Sequence, residues 1–263
     1  MPKFAANLST MFPELEPAER FHAAARAGFP AVEFLRPYEY PKEQVRNWLD
    51  ENGLNFLLLN TLGRLSATDE PGAGIVASRA AEFREIFDLA FGYCTALGGQ
   101  MIHVTAGPVP DGLSVESCEQ TFIANLKQIA PIAADAGISL MLEPLNSRDA
   151  PGYLHSSTAH TRRIIEAAGA ANVKLQYDFY HLQIMQGDHI QTLKNNLDII
   201  GHIQFSSVPG RHEPQHGELN FTVIFNHLDE IGYDGWVGCE YSPKGDSWEG
   251  LSWATPYGIT SIR

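Results

Sequence analysis

The chain has 263 residues and a formal net charge of −13, from 31 acidic and 18 basic residues. Its length is enough for one full hydrophobic core without disulfides or a structural metal, and its acidity lacks the basic footprint that a nucleic-acid partner requires. No apolar run approaches the ~20 residues needed to cross a bilayer, the N-terminus carries no charged-then-apolar signal, and Cys94, Cys118 and Cys239 lack paired ligand spacing, so a cytoplasmic, reducing setting is expected.

The first predicted strand is Phe4–Leu8, followed by a helix over Pro17–Ala27 that stops at Gly28. A second strand over Ala31–Leu35 leads to a helix over Lys42–Asn52, stopped by Gly53, and a third strand over Asn55–Asn60. The polar, glycine-containing stretch Thr61–Gly74 reads as a long loop. Apolar residues at helical spacing, Ala80, Phe83, Phe87, Ala90 and Phe91, place a helix within Val76–Leu97. Met101–Ala106 is the fourth strand. A helix over Ser114–Ala136 follows, with Ser114 and Ser117 as candidate caps and Gly137 as its stop. Ser139–Glu143 is the fifth strand and Thr158–Ala168 the fifth helix. Val173–Asp178 is the sixth strand, with a helix within Ile190–Ile200. His202–Phe205 is the seventh strand, Phe221–Ile231 the seventh helix and Trp236–Glu240 the eighth strand. The C-terminus holds one weak helix at most.

A helix, a glycine stop and a short apolar run recur throughout, which is the turn from a helix into a buried parallel strand. Runs such as FLLLN and SLMLE are apolar on both faces. An open doubly wound sheet usually carries a Gly-rich phosphate turn after its first strand; here that strand runs into ANLSTMF. The expected fold is therefore α/β, a single (β/α)8 TIM barrel occupying residues 1–263.

The last four strands read LMLEP, LQYDF, HIQFS and GCEYS, and they end on Glu143, Asp178, Gln204 and Glu240. In a parallel barrel the C-terminal strand ends share one mouth, where the chemistry sits. Taken singly, Asp178 is an ordinary helix cap, Gln204 a core hydrogen-bonder and Glu240 a partner for Lys244. Taken together, three acids and an amide at one topological position form an oxygen-rich site for Mg²⁺ or Mn²⁺. Each otherwise ends an apolar strand, where an unpaired charge is costly.

His181, three residues after Asp178, reads either as a core or surface histidine or as a donor to a substrate oxygen. Arg211, seven residues after Gln204, reads either as a surface loop residue or as a bidentate partner for a substrate carboxylate. A second metal site at His212, Glu213 and His216 is disfavoured, because Glu213-Pro214 and His216-Gly217 are turn chemistry.

Nearly end to end, the chain resembles the hydroxypyruvate isomerases of the xylose-isomerase-like barrel superfamily. The blocks that carry the resemblance are FAANLSTMF, VEFLRPYEY, LEPLNSRDAPGYLHSS, LQYDFYHLQIMQG, HIQFSSVPGRHEPQHGELNF and GWVGCEYSPKG. The resemblance implies that Glu143 and Glu240 both hold the metal and move the substrate proton. Asp178 and Gln204 match the remaining ligands, and His181 and Arg211 match substrate-contacting positions of related sugar epimerases. It implies interconversion of hydroxypyruvate and tartronate semialdehyde through an enediolate, in glyoxylate or sugar-acid metabolism, with no redox cofactor.

The chain departs from the family pattern at two places. The family's Gly-Asp after the third strand is Gly63-Arg64 here, and its Glu-Tyr-Lys-Pro is Glu240-Tyr241-Ser242-Pro243. The alternatives are a longer 2-oxo acid such as 2-oxotetronate, or ketose 3-epimerisation, both of which share the proton-transfer step. A non-catalytic sugar-acid-binding barrel is a further one, though it would not need both glutamates. A nuclease would need clustered His and acid ligands and a basic surface. The partners expected are a small anionic hydroxy-oxo acid or sugar and a second copy of the chain, with no nucleic acid and no membrane.

Overall fold

In the computed structural model, which describes residues 1–65 and 70–260, strands and helices alternate from end to end. The chain opens with β1 (Lys3–Asn7), α1 (Pro17–Ala27), β2 (Ala31–Glu33), α2 (Lys42–Asn52), β3 (Asn55–Phe56) and β4 (Leu58–Asn60). Next come α3 (Ala80–Leu97), β5 (Met101–His103), α4 (Val115–Asp135), β6 (Ser139–Leu142), α5 (Thr158–Ala168) and β7 (Val173–Asp178). The last part holds α6 (Phe179–Met185), α7 (His189–Asn196), β8 (Ile200–Phe205), α8 (Phe221–Glu230), β9 (Trp236–Cys239) and α9 (Ser247–Gly250).

The local chemistry explains these boundaries. Helix α1 begins with a reciprocal capping box between Glu16 and Glu19 and has Pro17 in its first turn. It ends at Gly28 in the left-handed region, φ 95°, which a residue without Cβ adopts at little cost. Ser114 caps α4 as expected, its side chain accepting from the Ser117 N–H at 3.1 Å. Helix α3 starts at Ala80 rather than Val76, because two 3₁₀ turns, Ala73–Ile75 and Ala77–Arg79, precede it. Helix α7 ends at Asn196, since the chain re-enters the sheet at Ile200. Of the expected loop over 61–74, residues 66–69 lie outside the described residues.

All strand pairs are parallel, in the order β3-β2-β1-β9-β8-β7-β6-β5-β4. Strands β3 and β4 are two halves of the expected run Asn55–Asn60. Leu57 between them donates its N–H to the Val32 carbonyl, while its own carbonyl accepts from Gln100 and Met101. One half pairs with β2 and the other with β5. The ring therefore closes through this run, giving eight strand positions and the expected barrel.

Side chains alternate along a strand, so residues two apart share a face. Inside the barrel, Ala5, Ala31, Leu57, Leu58, Met101 and Met141 form a compact apolar cluster. The larger core lies outside, where strand residues such as Phe4, Val32, Leu140 and Phe205 meet the helices. Stepping two residues up from Ala5, Ala31, Leu58, Met101 and Met141 leads to Asn7, Glu33, Asn60, His103 and Glu143. The same step from Gln176, His202 and Gly238 leads to Asp178, Gln204 and Glu240. The apolar plug thus supports a polar layer to which every strand position contributes.

Candidate active site

Strand ends and the loops just after them bring the functional side chains together. Ligand atoms of Glu143, Asp178 and His181 lie within 4.8 Å of one another, and all three residues are buried. Asp178 ends β7 and caps α6: its Oδ1 accepts from the Tyr180 N–H at 2.8 Å. That bond orients the carboxylate and leaves Oδ2 buried without a hydrogen bond. Glu143 Oε1 is likewise unpaired, while Oε2 lies 3.3 Å from His103 Nδ1.

Helix α6 was not expected from the sequence, and it places His181. The His181 Nδ1 accepts the Asn146 backbone N–H at 3.0 Å, so the ring proton sits on Nε2. Nε2 faces Glu143 Oε1 at 3.8 Å and Asp178 Oδ2 at 3.7 Å. Burial lowers the His181 pKa, so the ring is neutral. A nitrogen that carries a proton donates and does not ligate.

Arg211 lies on the loop after β8. Its guanidinium contacts Glu240 Oε1 at 2.5 Å, lies 3.9 Å from Asp178 Oδ2, and stacks 4.8 Å above the Tyr180 ring. The expected alternative, a Glu240–Lys244 pair, does not form among the described residues. Arg211 has a positive φ of 54°, a conformation that costs a non-glycine residue about 1–3 kcal/mol. Two backbone bonds hold it: its N–H donates to Ser207 O at 2.8 Å, and its carbonyl accepts from Ser242 N at 2.9 Å. The surrounding loop is anchored by Glu213, whose buried carboxylate accepts twice from the Lys244 N–H. Glu213 is therefore structural, and no metal cluster forms with His212 and His216 among the described residues.

The electrostatics follow from burial. Glu143 is raised well above the ordinary carboxylate range by burial first, then by Glu240 and Asp178. Burial pushes Glu240 up to about 8; Arg211 opposes this, while Asp178 and Glu33 add to it. Burial acts to lower Arg211, but Glu240, Asp178 and Glu143 outweigh it and the guanidinium stays charged. His103 is held down to about 3 by burial and by His181, and is neutral.

Glu143, His181, Arg211 and Glu240 line a cleft of about 750 Å³ that extends past His103 and Tyr153 to Ser9, Arg20 and Arg36. Asp178 and Gln204 are fully buried beneath it. Gln204 is bound on both ends of its amide, to Glu33 and to Gln176. Sequence reasoning missed Glu33 and His103, although both end strands of the first half in the same way as the four residues singled out. At the family departures, Gly63 lines the cleft, while Ser242 is exposed and holds the Arg211 loop through its backbone.

A profile of the xylose isomerase-like TIM barrel matches residues 21–257. A 2-oxo-tetronate isomerase of Cupriavidus necator is 44% identical over 257 residues, covering 98% of this chain and 99% of that protein. An Escherichia coli hydroxypyruvate isomerase is 38% identical, covering 98% and 100%. A crystal structure titled AP endonuclease, family 2, from Brucella melitensis superposes with a TM-score of 0.94 at 41% identity, covering 98% of this chain and 99% of that one.

Proposed function

The chain belongs to the xylose isomerase-like TIM barrel family and is an isomerase, and from that premise we propose that it isomerises a small 2-oxo acid by metal-assisted proton transfer, with Glu143 and Glu240 as the proton carriers. The substrate class is that of hydroxypyruvate and 2-oxo-tetronate. The observation that carries this reading is the approach of Glu143 and Asp178 to one point, with Glu143 Oε1 and Asp178 Oδ2 buried and unpaired. Buried carboxylate oxygens without partners are costly, and hard oxygen donors suit Mg²⁺ or Mn²⁺.

Glu143, Asp178, Gln204 and Glu240 would hold the ion. When bound, it supplies electrophilic stabilisation of the negative charge that develops on substrate oxygens. The remaining work falls to side chains. Glu240 is the carboxyl group placed to take up and return the substrate proton. Glu143 serves the opposite half of the transfer, and the two roles reverse with reaction direction. His181 Nε2–H donates to a substrate oxygen. Arg211 has a buried Nε without a partner, leaving it a donor for the substrate carboxylate beyond its contact with Glu240. A proton leaves the carbinol carbon and one arrives on the former carbonyl carbon, while the hydroxyl proton passes from the carbinol oxygen to the former carbonyl oxygen, so no external oxidant or reductant is needed. The net charge of −13 argues against a nucleic-acid substrate.

Within the class, the four-carbon acid is favoured, because the 44% identical relative carries that name and the cleft has room beyond a three-carbon acid. The test is proton exchange followed by NMR. Metal-stripped protein is incubated in D₂O with hydroxypyruvate or 2-oxo-tetronate, and Mg²⁺ or Mn²⁺ is then added. Metal-dependent deuterium entry at C3 with isomer appearing supports the reading, and the faster substrate identifies the acid. No exchange on either acid, despite tight metal binding, refutes it.

A further inference from the structure

Glu33 ends β2 with its side chain completely buried, and three donors converge on it. Asn7 Nδ2 donates to Oε2 at 2.9 Å and Gln204 Nε2 to the same oxygen at 2.8 Å. His202 Nε2 stands 2.5 Å from Oε1. The barrel wall is cut away to admit the group, since a Cβ on Gly238 would lie 2.1 Å from Oε1. Nothing in the proposed proton transfer uses Glu33.

The two ends of an amide are nearly the same size, so only its partners decide which end faces a neighbour. Left to itself, Gln204 can turn an N–H toward a cation and repel it. Glu33 Oε2 accepts from the NH₂ end, which leaves the carbonyl at the other end of the amide. That carbonyl accepts from Gln176 Nε2 at 2.5 Å, which uses one of its two lone pairs. The second remains for an ion. Gln204 is also the register partner of Asp178 across β7 and β8, and both side chains are completely buried.

Resting on the metal reading above, we propose that Glu33 is a positioning residue that fixes the Gln204 amide with its oxygen available as a metal ligand. The same contact explains why this strand end carries an amide where three others carry acids. A carboxylate at position 204 would set two acids about 2.8 Å apart, the present Gln204 Nε2 to Glu33 Oε2 distance. An amide offers both a donor to Glu33 and an oxygen to the ion.

The test is Mn²⁺ binding to metal-stripped protein, read from the electron paramagnetic resonance of the free ion and needing no turnover. Removing the partner of a metal ligand typically weakens metal affinity about 10–100-fold, and that loss is expected for Glu33→Ala. Gln204→Leu should lose a similar amount. The double variant should be no weaker than Gln204→Leu alone, because Glu33 acts through Gln204. Glu33→Gln should stay within about 5-fold of wild type: its oxygen keeps Asn7 and Gln204, and His202 changes tautomer to accept from its NH₂. A residue with a merely structural role would lower thermal stability in the same variants without this pattern in Mn²⁺ affinity.

If Glu33→Ala does not fold, the ¹³Cδ resonance of Gln204 in the wild type answers instead. It should shift on Mg²⁺ addition while the Nε2 protons stay protected from exchange, and an unmoved resonance would overturn the role. Unchanged affinity in folded Glu33→Ala, or additive losses in the double variant, would overturn it as well while leaving the metal reading intact. A wild type that takes up no Mn²⁺ would refute the metal reading, and this role with it.

Discussion

Gly238→Ala adds one carbon to β9 and tests the buried network beneath the site. Its backbone is not in the left-handed region, so the ordinary expectation for such a change is a gain of about 0.4–1 kcal/mol through the unfolded state. The structure reverses that sign. The new Cβ would stand 2.1 Å from Glu33 Oε1, 2.7 Å from its Cδ and 2.8 Å from Oε2. Glu33 cannot retreat without releasing Asn7, His202 or Gln204. Hydrogen bonds to a charged group contribute about 1.5–3 kcal/mol each, so losing two outweighs the entropic gain and leaves a net loss of about 2–6 kcal/mol. At about 2–4 °C per kcal/mol for a domain of this size, the melting temperature should fall by about 4–24 °C. The assay is thermal unfolding by circular dichroism, with Gly245→Ala as control, since a Cβ there meets nothing within 4 Å. A Gly238→Ala variant that melts within about 1 °C of wild type would refute the reasoning.

Glu143→Gln and Glu240→Gln should each lower kcat by at least the ~10²–10⁴-fold typical of a lost acid–base group, with the fold intact by circular dichroism; full activity in either would remove the two-carboxylate mechanism. Arg211→Asn, a residue that tolerates positive φ, should raise KM for a carboxylate substrate by about 10–100-fold and for an uncharged ketose much less; equal effects would take Arg211 out of carboxylate binding. Because burial raises Glu143 and Glu240, metal uptake near pH 7 should release protons; calorimetry in two buffers of different ionisation enthalpy should then give different apparent heats, and identical heats would count against ligation by these acids. Burial lowers His189 from 6.5 to about 4, so between those values the unfolded chain binds the extra proton and stability falls as pH falls. The stability advantage of wild type over His189→Gln should therefore shrink by about 1–2 kcal/mol between pH 7 and pH 5, and a pH-independent difference would show that His189 is not held neutral.

The barrel was legible because its signals are local. Glycine stops and short apolar runs repeat, and the limits of α1, α2, α5 and β7 match the expected ones residue for residue. The candidate site was legible to the extent that strand ends predict a shared mouth, which is why the proximity of Glu143, Asp178 and Glu240 could be expected without coordinates. Helix α6 escaped because Asp178 is both the last strand residue and the helix cap, leaving no linker to mark a change of element. Glu33 escaped because strand-end reasoning was applied to the last four strands, although AVEFL ends the second in the same way. The Glu33–Gln204 bond joins residues 171 positions apart, and the stagger between strands that brings them together leaves no trace in sequence spacing. Glu240 was given Lys244 as its alternative partner because Lys244 is near in sequence, whereas Arg211 reaches it across the mouth from another loop.

The charges in the barrel account for how these residues divide their work. Glu33, Glu143, Asp178 and Glu240 place four carboxyl groups in one buried region, and the neighbouring His103 and His181 are held neutral. Arg211 alone cannot balance four negative charges. Without an ion, the imbalance falls on Glu143 and Glu240, which are pushed toward their protonated forms. Glu33 differs because three polar partners converge on it and fix its orientation. Asp178 has one oxygen committed to the end of α6, which fixes its direction. The region thus separates into two carboxyl groups with raised pKa values and two held in place by hydrogen bonds. The proposed proton transfer between adjacent carbons would need the first pair to change state while the second pair keeps the geometry still. The proposed divalent ion would fit this division, because it would offset the charge of the first pair through residues whose orientation the second pair maintains.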